Sequence, residues 1–236
     1  MISAVGILKR FYRICIPFSV RKSGPVSIAK EFIYRNLLGH DAIYDSHYFE
    51  STVEGPAVDS AETISQSILN DLGPNTVVDV GCGTGALLEA LRTRGCQVFG
   101  LEYSTAALQY CKERELDVQK FDLESENLVE DRTFDVAISM EVGEHLPEKT
   151  ADRYVDLITR LSNVIVFTAA TPGQGGDDHV NEQPHSYWIS KFQSLGFAYD
   201  ESLSIRWRNS WRGTDNVASF YHRNLMIFRG IPGNLV

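Results

Sequence analysis

The most continuous apolar stretches of the chain are short and β-branched, and several end on a glycine or a carboxylate. Thr76–Val80, Gln97–Leu101, a weaker Val118–Phe121, Phe134–Met140 and Val164–Thr168 read as buried strands. Between them the apolar positions recur at helical spacing. Ile64, Ile68, Leu69 and Leu72 follow Asp59 as N-cap, and Ala86–Leu91 forms the next stripe. Ser104 then caps a helix reaching Cys111, Thr150–Leu161 comes next, and Ser186–Leu195 is closed by Gly196. Strands alternating with helices require right-handed crossovers and a mostly parallel sheet, so the expected class is α/β. Ser202–Trp207 and Phe220–Arg229, joined by Asn209-Ser210-Trp211-Arg212-Gly213, read as two last strands that finish the sheet as an antiparallel pair.

Ahead of this pattern, Val5, Leu8, Phe11, Tyr12, Cys15 and Ile16 make an apolar helical stripe with Lys9, Arg10 and Arg13 off it, and Glu31–Leu38 suggests a second short helix. Residues 1–50 are therefore read as a basic helical extension and 51–236 as the α/β domain. The extension is suited to a helix packed on its own domain or a partner, to a lid, or to peripheral contact with an anionic membrane. The aromatic segment Tyr44-Asp45-Ser46-His47-Tyr48-Phe49 has no clean period and is read either as part of a substrate site or as a linker filling a groove.

Charge sharpens the division. The net charge is −9, yet the first 35 residues carry seven Lys and Arg against Glu31 alone, so the remainder is strongly acidic. Such a body disfavours nucleic acid, whose binding depends on neutralising phosphates, and favours a small-molecule partner. Cys15, Cys82, Cys96 and Cys111 show no metal-ligand spacing, which suggests reduced thiols in a cytoplasmic protein. No apolar run approaches the roughly 18 residues of a spanning helix, and the start of the sequence does not read as a signal peptide. No pattern along the chain encodes an oligomeric state.

The chemistry begins at Val78-Asp79-Val80-Gly81-Cys82-Gly83-Thr84-Gly85. Glycines after a strand let the backbone bend and a ligand approach, and the helix after them offers free N–H groups, so this is a nucleotide-binding turn. Gly81-x-Gly83-x-x-Ala86 with Glu102 satisfies a dinucleotide fingerprint, leaving an NAD-dependent oxidoreductase as one reading. Three features argue otherwise. Asp79 could receive a cationic amino group, Gly85 extends the pattern to G-x-G-x-G, and Asp122 could accept from an adenine amino group.

With Phe121-Asp122-Leu123 and Phe134–Glu141, these segments closely resemble the class I S-adenosylmethionine-dependent methyltransferases over about residues 59–228. The resemblance implies a Rossmann-like three-layer α/β/α sandwich with a seven-stranded, mostly parallel sheet and an antiparallel last strand. It implies a cofactor site of Asp79, Gly81, Cys82, Gly83, Gly85, Glu102, Tyr103, Asp122, Leu123 and Met140, with Glu102 on the ribose hydroxyls and Asp122 and Leu123 at the adenine. A non-catalytic ligand-binding protein of the same fold is the other alternative.

The acceptor is read from the residues just beyond the fourth strand. Amino-directed relatives commonly carry Asn/Asp-Pro-Pro-aromatic there; here Ser139-Met140-Glu141-Val142 stands instead, favouring a hydroxyl over an amine or carboxylate. In Glu141-Val142-Gly143-Glu144-His145, a helical turn would put residues 141, 144 and 145 on one face. The segment resembles the E-x-x-E-H metal motif of small-RNA 2′-hydroxyl and ubiquinone-pathway O-methyltransferases, which implies Mg²⁺ or another divalent cation on Glu141, Glu144, His145 and His179, with His185 as second choice for the last ligand. Similar segments also occur in methyltransferases without a known metal. In that case His145 or His179, in or near the polar loop Thr171–Pro184, would be the general base, with Glu144 beside it. The long polar loop with Trp188, Trp207 and Trp211 suits a saccharide or a phenolic secondary metabolite as acceptor, the tryptophans otherwise filling core or groove, and the basic N-terminal arm suits a glycolipid or an anionic acceptor.

Overall fold

The computed structural model describes residues 43–126 and 132–232. The basic helix and the second short helix expected within residues 1–40 lie outside them. Seven strands form one sheet: β1 (Thr76–Val80), β2 (Gln97–Glu102), β3 (Val118–Lys120), β4 (Val136–Met140), β5 (Val164–Thr168), β6 (Phe197–Tyr199) and β7 (Met226–Gly230). Their order is β3-β2-β1-β4-β5-β7-β6. Strands β1 to β5 run parallel, and β7 runs antiparallel to both neighbours, β5 and β6. The sheet is therefore the expected one, with a reversed last strand.

Helices α1 (Glu54–Leu72), α2 (Ala86–Thr93), α3 (Thr105–Glu113), α4 (Ala151–Leu161), α5 (His185–Ser194), α6 (Glu201–Arg212) and α7 (Ser219–Asn224) accompany it. Alternation along the strands feeds two cores. Val78, Val80, Phe99 and Leu101 pack with Tyr154, Ile158, Trp188 and Phe192 on one face, while Val77, Val136, Ile138 and Val166 meet Ile64, Ile68, Leu91, Trp207 and Trp211 on the other. All three tryptophans are buried, so they are core residues and offer no face to a sugar or phenol.

Three boundaries depart from the sequence reading. Asp59 is not an N-cap: α1 starts at Glu54, preceded by a short helical turn at Ser46–Tyr48 and a π-turn at Phe49–Val53, with Pro56 tolerated in its first turn. Ser202–Trp207 is helix, not strand. Leu203, Trp207 and Trp211 recur every four residues on the buried face of α6, and Asp200 caps its start by accepting from the Leu203 N–H. The sixth strand is instead the three residues after Gly196, and residues 220–224, read as the start of the final strand, belong to α7 (Ser219–Asn224). β-branched and aromatic residues raise strand propensity in both segments, and in α6 burial at helical spacing decides.

Candidate functional site

The carboxyl ends of β1, β2 and β4 open on a cavity of about 360 Å³. This is where ligands bind in open α/β sheets, because the strand order reverses there and the loops diverge. One end is built by the glycine turn. Gly81 has a φ of +78°, and a Cβ there would come within 2.5 Å of Val142 Cγ2, so only glycine lets β1 turn beneath the residues after β4. Gly81, Cys82 and Gly83 line the cavity; Gly85 turns away from it and packs against Leu116 and Cys111.

Asp79 and Glu102 flank this turn from adjacent strands. The Glu102 carboxylate accepts from Gly83 N–H at 2.8 Å and Ser104 N–H at 2.7 Å, which fixes both of its oxygens beside the turn. Asp79 lines the cavity yet is 6% exposed. Burial, and then the charge of Glu102, push its carboxyl up to about 8, so at neutral pH it awaits a cation. Further along, Asp122, Leu123 and Tyr103 line the cavity, with Asp122 shaped by a local turn in which it accepts from Glu124 N–H and Ser125 Oγ. Met140, the last residue of β4, lines it too.

The other end is formed by the turn after β4, the Thr171–Pro184 loop and residues 44–53. Gly143–His145 is a single 3₁₀ turn. The donor atoms of Glu144, His145 and His179 come within 4.8 Å of one another. Glu141, expected to join them, does not: its backbone takes φ +55°, and its carboxylate accepts from Asn224 Nδ2 at 2.9 Å and Gln174 Nε2 at 3.0 Å. His185 is also elsewhere. It sits on α5 with Nδ1 3.3 Å from Arg208, and burial together with that guanidinium lowers its pKa to about 4.

Glu144 is fully buried, and neither carboxylate oxygen has a hydrogen-bond partner among the described residues. Burial and then the nearby Glu141 charge drive its carboxyl well above the usual range. His145 Nδ1 lies 3.3 Å from Asp178 O, and its ring meets Tyr44 and His179 edge to face. His179 Nδ1 is 2.9 Å from Glu182 Oε1.

The aromatic segment belongs to this site. Tyr44, Tyr48, Phe49 and Val53 line the cavity, and the segment is tied across it by Tyr44 OH donating to Asp178 (2.8 Å) and Ser104 Oγ donating to Tyr44 O (2.8 Å). Sequence reasoning missed Glu182, Gln174, Asn224 and Tyr221. Only Glu182 left a local trace, a carboxylate three residues after His179 in a polar loop. Gln174 belongs to that same loop, and Tyr221 and Asn224 come from α7, Asn224 lying 83 residues beyond its partner Glu141.

Residues 77–163 match a family model described as a methyltransferase domain. The chain is 36% identical over 87 residues to a ubiquinone biosynthesis O-methyltransferase of Nitrosomonas europaea, covering 34% of this chain and 37% of that protein. It is 35% identical over 147 residues to the protein of the same name from Pseudomonas paraeruginosa, covering 60% and 58%. The chain thus spans from over a third to under three fifths of the length of these curated relatives. Among solved structures, the sugar N-methyltransferase KedS8 from Streptoalloteichus superposes with a TM-score of 0.59 at 15% identity, covering 79% of this chain and 92% of that one, a likeness of fold. The matched segment, the strand order with its reversed β7 and the glycine turn heading the cavity make this chain similar to methyltransferase domains, in keeping with the class I S-adenosylmethionine-dependent resemblance of its sequence.

Proposed function

We propose that the chain transfers a methyl group from S-adenosylmethionine to a hydroxyl of a small molecule. The observation that carries this reading is the continuity of one cavity from Asp79 and Glu102 at the glycine turn to His145 and His179 at the far end. Asp79 receives the amino group of the methionine moiety, whose charge restores its carboxylate. Glu102, preset by two backbone N–H groups, accepts from the ribose hydroxyls, and Asp122 with Leu123 borders the adenine. The second rank of cofactor contacts is the turn itself with Tyr103 and Met140.

A sulfonium methyl is already electrophilic, so the protein's task is to align the acceptor and take its proton. As the acceptor oxygen bonds to the methyl carbon, the carbon–sulfur bond breaks with its pair left on sulfur. The hydroxyl proton passes to His179 or His145. Direct displacement of this kind needs no covalent enzyme intermediate.

Calorimetric titration with S-adenosylhomocysteine and with NAD separates this reading from an oxidoreductase. Binding of the former alone is expected, and binding of NAD alone would remove the proposal. Incubation with labelled S-adenosylmethionine and fractionated metabolites, with mass identification of the methylated product, tests the acceptor. An N-methylated product, or label transfer that survives replacement of both His145 and His179, would overturn hydroxyl transfer through these histidines. No transfer to any fraction would favour a ligand-binding protein.

One observation favours a second reading of the far end, in which a divalent cation sits on Glu144, His145 and His179. Two carboxylate oxygens buried with no partner are costly, and a cation would satisfy them. A bound cation would lower the pKa of a coordinated hydroxyl. The three residues fit it and Glu141 does not. Turnover that survives thorough chelation and Glu144→Ala would exclude the cation.

A further inference from the structure

We propose that Glu182 is the positioning residue that holds His179 with its proton on Nδ1, so that the Nε2 lone pair is presented to the cavity. The inference rests on the reading of His179 as a working group of the site, and it deepens that reading by naming what sets its tautomer and its orientation. Three observations converge on it. The first is the contact itself: His179 Nδ1 and Glu182 Oε1 are 2.9 Å apart. A carboxylate only accepts, so Nδ1 must donate, and in the neutral ring the lone pair then belongs to Nε2.

The second is that Glu182 is itself held in place. Its Oε1 also accepts from Gly175 N–H at 2.6 Å, and its Oε2 accepts from Gly173 N–H at 2.7 Å. The loop carrying these groups is pinned on its other side, where Val180 and Asn181 N–H donate to Glu144 O at 2.8 and 3.0 Å.

The third is steric. A Cβ on Gly176 would lie well inside van der Waals contact with His179 Nε2, so the bare α-carbon is what lets the imidazole lie where it does. Gly176 has no left-handed backbone, and its replacement by alanine would act on the ring rather than on the chain. Glu182 fixes one nitrogen and Gly176 makes room for the other, and both residues belong to the same loop. A histidine that merely filled space would need neither.

The test is the ¹⁵N–¹H correlation spectrum of histidine-labelled protein saturated with S-adenosylhomocysteine, taken above the titration range of imidazole. Wild-type His179 is expected as a single Nδ1–H tautomer. Observation of Nε2–H in the wild type overturns the proposal whatever any variant does. In Glu182→Gln one acceptor oxygen becomes an NH₂ group, which cannot serve three N–H donors, and the His179 pattern is expected to move to a mixture or to Nε2–H. Persistence of the pure Nδ1–H pattern there, with the Gly173 and Gly175 amide signals unmoved, would also overturn it.

Gly176→Ala is expected to shift the His179 ring signals while leaving Nδ1 protonated. With the acceptor in hand, Glu182→Gln should lower kcat by about tenfold or more with little change in KM for S-adenosylmethionine. Equal losses in kcat and in cofactor affinity would instead mark a structural role. The tautomer spectrum requires no turnover, so its failure is distinguishable from failure of the methyltransferase reading, which the calorimetric titration decides separately.

Discussion

Asp79 shows how a single carboxylate couples the site to stability. Its pKa is raised to about 8 in the folded protein by burial and the charge of Glu102, against an ordinary value near 4 when unfolded. Between those values the folded state binds more protons than the unfolded one, so stability contributed by this group falls as pH rises from about 4 to about 8 and is level above. Asp79→Asn should therefore flatten the pH dependence of Tm and raise Tm at pH 9 relative to wild type. The same change should weaken S-adenosylhomocysteine binding at least tenfold, because the amino group loses its counter-charge. A Tm profile that keeps its slope would mean that Asp79 is not the group responsible. Glu144, whose buried carboxylate oxygens have no hydrogen-bond partner among the described residues, obeys the same logic: Glu144→Gln should leave the fold intact or stabilise it at neutral pH, checked by thermal melts at pH 6 and 8.

At the scale of elements, the site is made where secondary structure ends. The left-handed turn at Gly81 lets β1 deliver Asp79 to the cavity while the residues after β4 pass over it. Gly81→Ala meets both backbone strain and the Val142 side chain, and should cost about 2 kcal/mol of stability by chemical denaturation, with loss of cofactor binding. Across the cavity, residues 44–53 form a cover tied to the polar loop through Tyr44 and Asp178. Removing that hydroxyl in Tyr44→Phe should cost about 1 kcal/mol of closure, read as about a fivefold weaker Kd for S-adenosylhomocysteine. An unchanged Kd would make the segment a bystander. The glycine turn was legible because its function requires consecutive residues with fixed spacing. The cover was only half legible: the aromatic cluster stood out, but nothing in Tyr44 to Phe49 encodes a partner 134 residues away.

For the whole molecule, both faces of the sheet carry a core, and the tryptophans are their largest members. Trp207 is 2% exposed and its indole N–H donates to Asp71 at 2.5 Å, joining α6 to α1. Trp207→Ala should destabilise the fold by about 3–5 kcal/mol in urea unfolding without a specific effect on cofactor affinity. A Trp207 variant that lost binding with stability intact would place the residue in the site after all. No helix among the described residues is long and apolar enough to cross a membrane.

Features that depend on neighbours in the chain were settled by the order of amino acids alone. Strand alternation, the glycine spacing, the Ser104 cap and the carboxylates at strand ends are local patterns, and they were enough for the five parallel strands and the glycine turn. Folding in three dimensions settled what depends on residues far apart. It gave Glu141 to Asn224 and Gln174 rather than to the histidines, withdrew His185 to Arg208, buried the tryptophans and converted Ser202–Trp207 from strand to helix. The physical reason is that a side chain's partners are set by which surfaces the folded layers bring together. Local periodicity says which face of an element is apolar, and the layers decide what that face, and each polar group at its edge, will meet.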